Sequence, residues 1–235
     1  MSRLRRGFKA VAERLSLEVR DEIDVGPYGV LDAYAVADLY GIPVEPLSTL
    51  AEQSGVAWAL DNPEQVSAVT VFAGSRRLML VNDDLSVVRQ RSAIAHELAH
   101  VLLEHEPAPA LESGERIWEP AAEREADWLA GCLLIPKSAA IGCAIAGLAD
   151  GAVARRYGTS RPLARWRLNA TGARIIARRS VASEDHGTYR TGSPRRSLRS
   201  PSDWRETVER AGFSTIAVPA ISLRAHDGGN RRIRR

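Results

Sequence analysis

Five consecutive residues, His96-Glu97-Leu98-Ala99-His100, carry the side chains in this chain best suited to chemistry. The stretch around them, Arg91 to Leu103, is largely apolar and free of Gly and Pro, so it predicts a helix. Residues four apart share one helix face, so both imidazoles point the same way. Two such rings can bind a single zinc ion at about 2.0–2.1 Å each. Glu97 is rotated by about 100° from His96. It can stand beside a metal without ligating it, which is where a general base for an attacking water belongs. A zinc site of this kind still needs a third protein ligand.

One class of zinc peptidase takes a third histidine six residues after the second. Here that position is Glu106, and the glycine which that class requires three residues after His100 is Leu103. The helix is therefore expected to continue to Glu106, where Pro107 and Pro109 must stop it. On such a helix His105 lies about 140° from His100 and faces water or a carbonyl.

A second helix is expected from Pro120, which suits a first turn, to just before Pro136. It offers Glu123, Glu125 and Asp127. On a helical wheel, Ala122, Ala126, Leu129, Ala130 and Leu133 form the apolar stripe. Glu123 is the carboxylate nearest its centre. Glu125 and Asp127 lie about 100° away, on opposite sides. Asp127, one turn after Glu123, is placed to accept the second ring N–H of a ligating histidine and fix its tautomer.

The elements that must hold these residues can be read along the chain. Residues 7–24 predict an amphipathic helix with Phe8, Val11, Leu15, Val19 and Ile23 along its stripe. Asp32 as N-cap and Gly41 just past the end frame a second helix. An extended piece at 42–44 and a helical turn or two at 46–53 follow. Residues 66–72 and 77–81 are rich in apolar and β-branched residues and flank Gly74-Ser75, predicting a β-hairpin directly before the motif helix. Residues 139–148 predict a packed helix, and residues 153–168 a helix, tight turn and helix with Gly158 in the turn.

Of 235 residues, 32 are Lys or Arg and 29 are Asp or Glu. The excess of cations is confined to residues 178–235, which carry 13 positive and 6 negative side chains; residues 1–177 are net acidic. The basic character thus belongs to a tail rich in Ser, Arg, Gly and Pro, expected to be flexible, and not to the preceding domain, 1–177. Cys132 and Cys143 are the only cysteines and lack metal-ligand spacing, which excludes a disulfide framework. No apolar run is long enough to span a bilayer and no secretory signal is evident, so a cytoplasmic protein is expected.

Residues 89–103 and 123–136 together resemble the ImmA/IrrE family of zinc metallopeptidases, within the gluzincin group. The second segment is similar to that family's E-x-E-A-[ND]-x-x-A-x-x-L-L-x-P signature. Weaker echoes at 8–20, 31–43, 77–82 and 157–160 extend the resemblance over roughly 7–177. It implies an α+β fold, a small, mainly helical zinc-peptidase domain with a short β-sheet before the H-E-x-x-H helix. It implies His96, His100 and Glu123 as Zn²⁺ ligands, with Glu125 as runner-up, and Glu97 as catalytic acid/base. It also implies a strand edge, expected at Arg77–Val81, that pairs with the substrate backbone. Tyr157 and His105 are candidates for a second oxyanion donor. Many members cleave or inactivate a helix-turn-helix repressor, and a zinc-dependent endopeptidase with such a substrate is the expectation here. The 30 residues before the second helix are too few for the N-terminal DNA-binding domain that some members carry.

Two rival readings come from the same residues. One is a regulator that binds DNA or a repressor and keeps its zinc site without efficient proteolysis. In it, Arg161, Arg165 and Arg167 of the 153–168 pair, or the arginine-rich tail, would contact nucleic acid. The other treats 153–168 as two packed C-terminal helices of the peptidase domain.

Overall fold

The computed structural model describes residues 4–50, 66–73, 76–106 and 119–187. The chain begins with α1 (Phe8–Glu22) and α2 (Ala33–Leu39), then β1 (Val44–Pro46) and a 3₁₀ turn, Leu47–Leu50. A hairpin follows, β2 (Ala68–Ala73) and β3 (Arg76–Val81). Next come α3 (Val87–Leu102), α4 (Pro120–Leu134), α5 (Lys137–Ile145), α6 (Asp150–Tyr157), α7 (Arg161–Ala170) and α8 (Ala173–Gly187). This is an α+β domain, mainly helical, with one small sheet. All of these elements fall in one compact unit, Met1–Arg190, and α8 runs on past Arg178, where composition places the start of the tail.

Local sequence accounts for several boundaries. Asp32 caps α2 by accepting from the Tyr34 N–H at 3.0 Å, and Gly41 follows its end at φ +64°, a conformation that costs glycine nothing. Pro120 opens α4, where a missing N–H loses no bond. Ser160 caps α7 through the Leu163 N–H, and Gly158 ends α6 at φ +57°. A Cβ at Gly158 would lie 2.0 Å from Arg91 Nη1, so glycine there also leaves room for the side chain that ties α3 to the Leu31 carbonyl.

In the sheet, β3 lies in the middle. It pairs in parallel with β1, Val44 opposite Met79, and antiparallel with β2, Thr70 opposite Met79. The hairpin thus forms in the expected register around residues 74–75, which lie outside the described residues. The expectation that Arg77–Val81 offers a free edge is wrong, because β1 occupies its other side from Met79 to Val81. Among the described residues the sheet edge beside the motif helix is β2, on which α3 packs.

The core lies between the sheet and the helices, with Ile94, Leu98, Leu129, Leu133 and Met79 among its fully buried members. The buried face of α1 is Phe8, Ala12, Ser16, Val19 and Arg20, while Val11 is exposed. The buried face is turned from the stripe read in sequence because it extends on one side to a buried hydroxyl, Ser16, and a buried cation, Arg20. Arg20 donates to the carbonyls of Gly26 at 2.8 Å and Leu133 at 2.6 Å, and to that of Gly29. Burial lowers its pKa to about 10, so it stays charged at neutral pH. Arg167 is equally buried and donates to the Ile135 carbonyl at 2.8 Å and to Glu13 at 2.6 Å. The two guanidiniums thereby take up carbonyls that the end of α4 leaves unpaired.

The α6–α7 pair is packed into the same core through Val153, Tyr157, Ala164 and Leu168. Of its arginines, Arg167 is interior and Arg165 pairs with Asp150 at 3.0 Å. Cys132 and Cys143 are buried free thiols. Burial pushes Cys132 up to about 12 and raises Cys143, so both behave as small apolar residues. Among the described residues no single helix is long and apolar enough to cross a membrane.

Candidate metal centre

Helix α3 turns Ile94, Ala95, Leu98 and Ala99 into the core. His96 and His100 sit at the rim of that face, with side chains 24% and 21% exposed. Their ring centroids are 4.8 Å apart, and Nε2 of one lies 3.1 Å from Nε2 of the other. The first turn of α4 brings Glu123 to them. Its Oε2 is 3.2 Å from His96 Nε2 and its Oε1 is 3.4 Å from His100 Nε2. Ligand atoms of the three residues all lie within 4.8 Å of one another. Two nitrogens and a carboxylate oxygen, converging from two helices at a rim less than a third exposed, match the donor set of a catalytic zinc site with an open position. The residues present therefore fit such an ion.

Both outer ring nitrogens also have partners. Nδ1 of His96 stands 3.1 Å from Asp127 Oδ1, as the spacing of α4 predicts. Nδ1 of His100 stands 3.0 Å from Nδ1 of His105. The pKa values of the two rings move in opposite directions. Burial opposes charge on His96, but the hydrogen bond and charge of Asp127, with Glu97 and Glu123, outweigh it and raise its pKa. Burial first, then the charges of His96 and His105, outweigh the pull of Asp127 and lower His100 to about 4. A neutral imidazole is the form that binds a metal.

Glu97 turns towards the sheet. Its Oε2 accepts from the backbone N–H of Thr70 at 2.9 Å and from the Thr70 hydroxyl at 2.7 Å. The carboxylate is thus fixed by β2, one residue along the chain from His96. Sequence reasoning missed Thr70. The available signal was a lone hydroxyl in an otherwise apolar strand, Ala68-Val-Thr-Val-Phe-Ala73.

Three expectations need correction. Helix α3 ends at Leu102 and not near Glu106, because Glu104 adopts φ +53° and turns the chain back, with the His105 N–H bonded to the His100 carbonyl. His105 therefore reaches the His100 ring and does not face water. Glu123 is not the most buried carboxylate of α4, since Glu125 is 5% exposed. Helix α4 packs against α3 on one side and α1 on another, so a single-stripe wheel misplaces its interior. Glu125 is held by Arg5 through two 2.6 Å hydrogen bonds and lies outside the cluster of His96, His100 and Glu123. Finally, the Tyr157 hydroxyl donates to the Tyr28 carbonyl at 3.3 Å inside the core, which leaves it a packing role.

A family model described as the IrrE N-terminal-like domain matches residues 52–169, half of the chain, including all of α3 and α4. The chain belongs to this peptidase family. No curated protein matches its sequence. For an IrrE N-terminal-like chain, the convergence of His96, His100 and Glu123 marks a metallopeptidase-like domain whose cluster could bind a metal. Beside it, a cleft of about 310 Å³ takes in His96 and Asp127 and is lined by both polar residues, Arg89, Ser92 and Ser160 among them, and apolar ones such as Val88 and Leu163.

Proposed function

We propose that the protein is a zinc-dependent endopeptidase whose substrate is another protein, with a helix-turn-helix transcriptional repressor as the class to test first. The observation that carries this reading is the meeting of His96, His100 and Glu123 next to a glutamate, Glu97, held in place by Thr70.

His96, His100 and Glu123 would hold the ion through the two Nε2 atoms and the carboxylate. Bound zinc would supply a Lewis acid that polarises the peptide carbonyl and eases deprotonation of a water. Glu97 takes the proton of the attacking water and passes it to the leaving amide nitrogen. Two hydrogen bonds from Thr70 keep its carboxylate from swinging away. Asp127 accepts the Nδ1–H of His96, which reserves Nε2 for the metal. β2 is an edge of the sheet, and away from Thr70, whose N–H is taken by Glu97, its outer side is where a substrate segment would add by backbone pairing. The cleft beside His96 would give an adjacent substrate side chain a mixed seat, with Val88, Ala93 and Leu163 beside Arg89, Ser92 and Ser160.

Incubation of the full chain with the repressor encoded nearest its gene tests the reading. The expected result is cleavage that a chelator abolishes and zinc restores. Glu97→Gln should keep parent zinc content by mass spectrometry and lose at least about 100-fold in cleavage. Cleavage by Glu97→Gln at the parent rate refutes the role of the glutamate. Repressor binding without cleavage by the zinc-loaded parent refutes proteolysis.

A further inference from the structure

The contact between His105 and His100 has a consequence for proton placement. Two ring nitrogens 3.0 Å apart cannot both be acceptors, so one Nδ1 carries the shared hydrogen. On the reading that His96, His100 and Glu123 hold a metal, Nε2 of His100 must offer its lone pair. Its hydrogen then sits on Nδ1. His105 must accept that hydrogen at its own Nδ1, which places the hydrogen of His105 on Nε2. That nitrogen is buried and faces Glu125 Oε2 at 3.6 Å, too far for a hydrogen bond but within range of its charge. Glu125 is fixed in turn by Arg5, from the segment that leads into α1.

We propose that His105 is a positioning residue for the metal centre: it accepts from His100 Nδ1–H, and so holds the tautomer and orientation that leave His100 Nε2 free to ligate. The two ligand histidines are thereby set by different chemistry. His96 is oriented by Asp127, a carboxylate 69% exposed. His100 is oriented from the interior by a second imidazole, 12% exposed, backed by an ion pair anchored near the N-terminus. The proposal rests on the metal reading of the site. It adds a residue five places after His100 that the H-E-x-x-H motif does not contain.

Zinc affinity of the full chain, read by competition with a chromophoric chelator at one pH, tests it. The proteins compared are the parent, His100→Ala, His105→Leu and His105→Asn, with thermal unfolding of each metal-free form. His105→Leu removes the acceptor and should weaken zinc binding about 10–100-fold. In His105→Asn an amide oxygen can stand near the place of Nδ1 and accept the same hydrogen, so affinity should return close to the parent. His105→Leu at parent affinity, with His100→Ala weakened, overturns the inference and leaves the site reading standing. His100→Ala at parent affinity overturns the site reading itself. His105→Asn as weak as His105→Leu also overturns the inference, since acceptance would then not be what matters. Should His105→Leu fail to fold, nitrogen-15 NMR of the histidine-labelled, zinc-loaded parent decides. Hydrogen on Nδ1 of His100 and on Nε2 of His105 is expected; hydrogen on Nδ1 of His105 overturns the proposal.

Discussion

Replacing Arg167 by Met probes the packing that ties α1, the end of α4 and the start of α5 together. The side chain is fully buried. Its guanidinium joins the Ile135 carbonyl just after α4 to Glu13 of α1, at 2.8 and 2.6 Å. The other oxygen of Glu13 accepts the Lys137 N–H at 3.0 Å, so one ion pair ties α1, the end of α4 and the start of α5 together. Its carbon also lies 5.5 and 6.0 Å from the ring centres of Trp166 and Trp128. Methionine fills much of the volume but donates nothing. A buried carbonyl that loses its donor costs about 1–3 kcal/mol. Stripping one partner from a buried ion pair costs about 3–5 kcal/mol. The side chain of Glu13 is 21% exposed and keeps the Lys137 N–H, which places its share at the low end. The methionine returns about 1–2 kcal/mol by burial. The net loss is therefore about 3 kcal/mol, or a fall in Tm of roughly 6–12 °C for a domain of this size. Urea unfolding of the metal-free full chain measures it. Glu13→Gln with Arg167→Met should cost clearly less than the sum of the single changes. Zinc affinity at 25 °C should be unchanged, because neither residue reaches the cluster of His96, His100 and Glu123. A single-variant loss below about 1 kcal/mol, or simple additivity in the double variant, refutes the account of the pair as one unit.

Thr70→Val keeps the backbone bond to Glu97 and deletes the hydroxyl bond, worth about 1.5–3 kcal/mol to a charged acceptor, so turnover should fall about 10–100-fold with zinc affinity intact; unchanged turnover counts against Thr70 as the anchor of the base. Asp127→Ala should weaken zinc about 10–100-fold by chelator competition, and Asp127→Asn, whose oxygen can still accept from His96, should recover part of that loss. Burial alone would raise the Glu125 carboxyl, but the hydrogen bonds and charge of Arg5, with His105, outweigh it and hold it below the usual range. A folded-state pKa depressed in this way stabilises the protein above the unfolded value and is lost as pH falls through the folded one. Arg5→Ala should therefore lower the urea midpoint of the metal-free protein at pH 7, and the gap to the parent should close below about pH 4. A gap that widens in acid reverses the assignment.

The parts of the site that sequence made legible are those set by local spacing. His96 and His100 share a face because four residues make little more than one helical turn, whatever surrounds it. Asp127 reaches His96 for the same reason, one turn after Glu123. The limits of α2 and α4 follow from Asp32, Gly41 and Pro120, whose backbone preferences act within a turn. The hairpin register follows from the two-residue spacing between β2 and β3.

What sequence left hidden depends on partners far along the chain, or on a backbone turn that no residue type announces. Glu104 at φ +53° is a left-handed residue without the glycine that would flag it, so helical arithmetic sent His105 to the wrong side. The burial of Glu125 needs Arg5, 120 residues away, as its counterion, and a wheel drawn on α4 alone contains no such term. The central place of β3 depends on a three-residue strand, β1, too short to show a period. Here the motif supplies the atoms that face the candidate metal site, while residues outside it supply the atoms behind them: Thr70 behind Glu97, and His105, Glu125 and Arg5 behind His100. Ligand identity is thus written in a few adjacent letters, and ligand orientation in contacts that only folding brings together. A chain carrying H-E-x-x-H and a downstream glutamate, but lacking acceptors where Asp127 and His105 stand, should bind zinc more weakly than this one despite an identical motif.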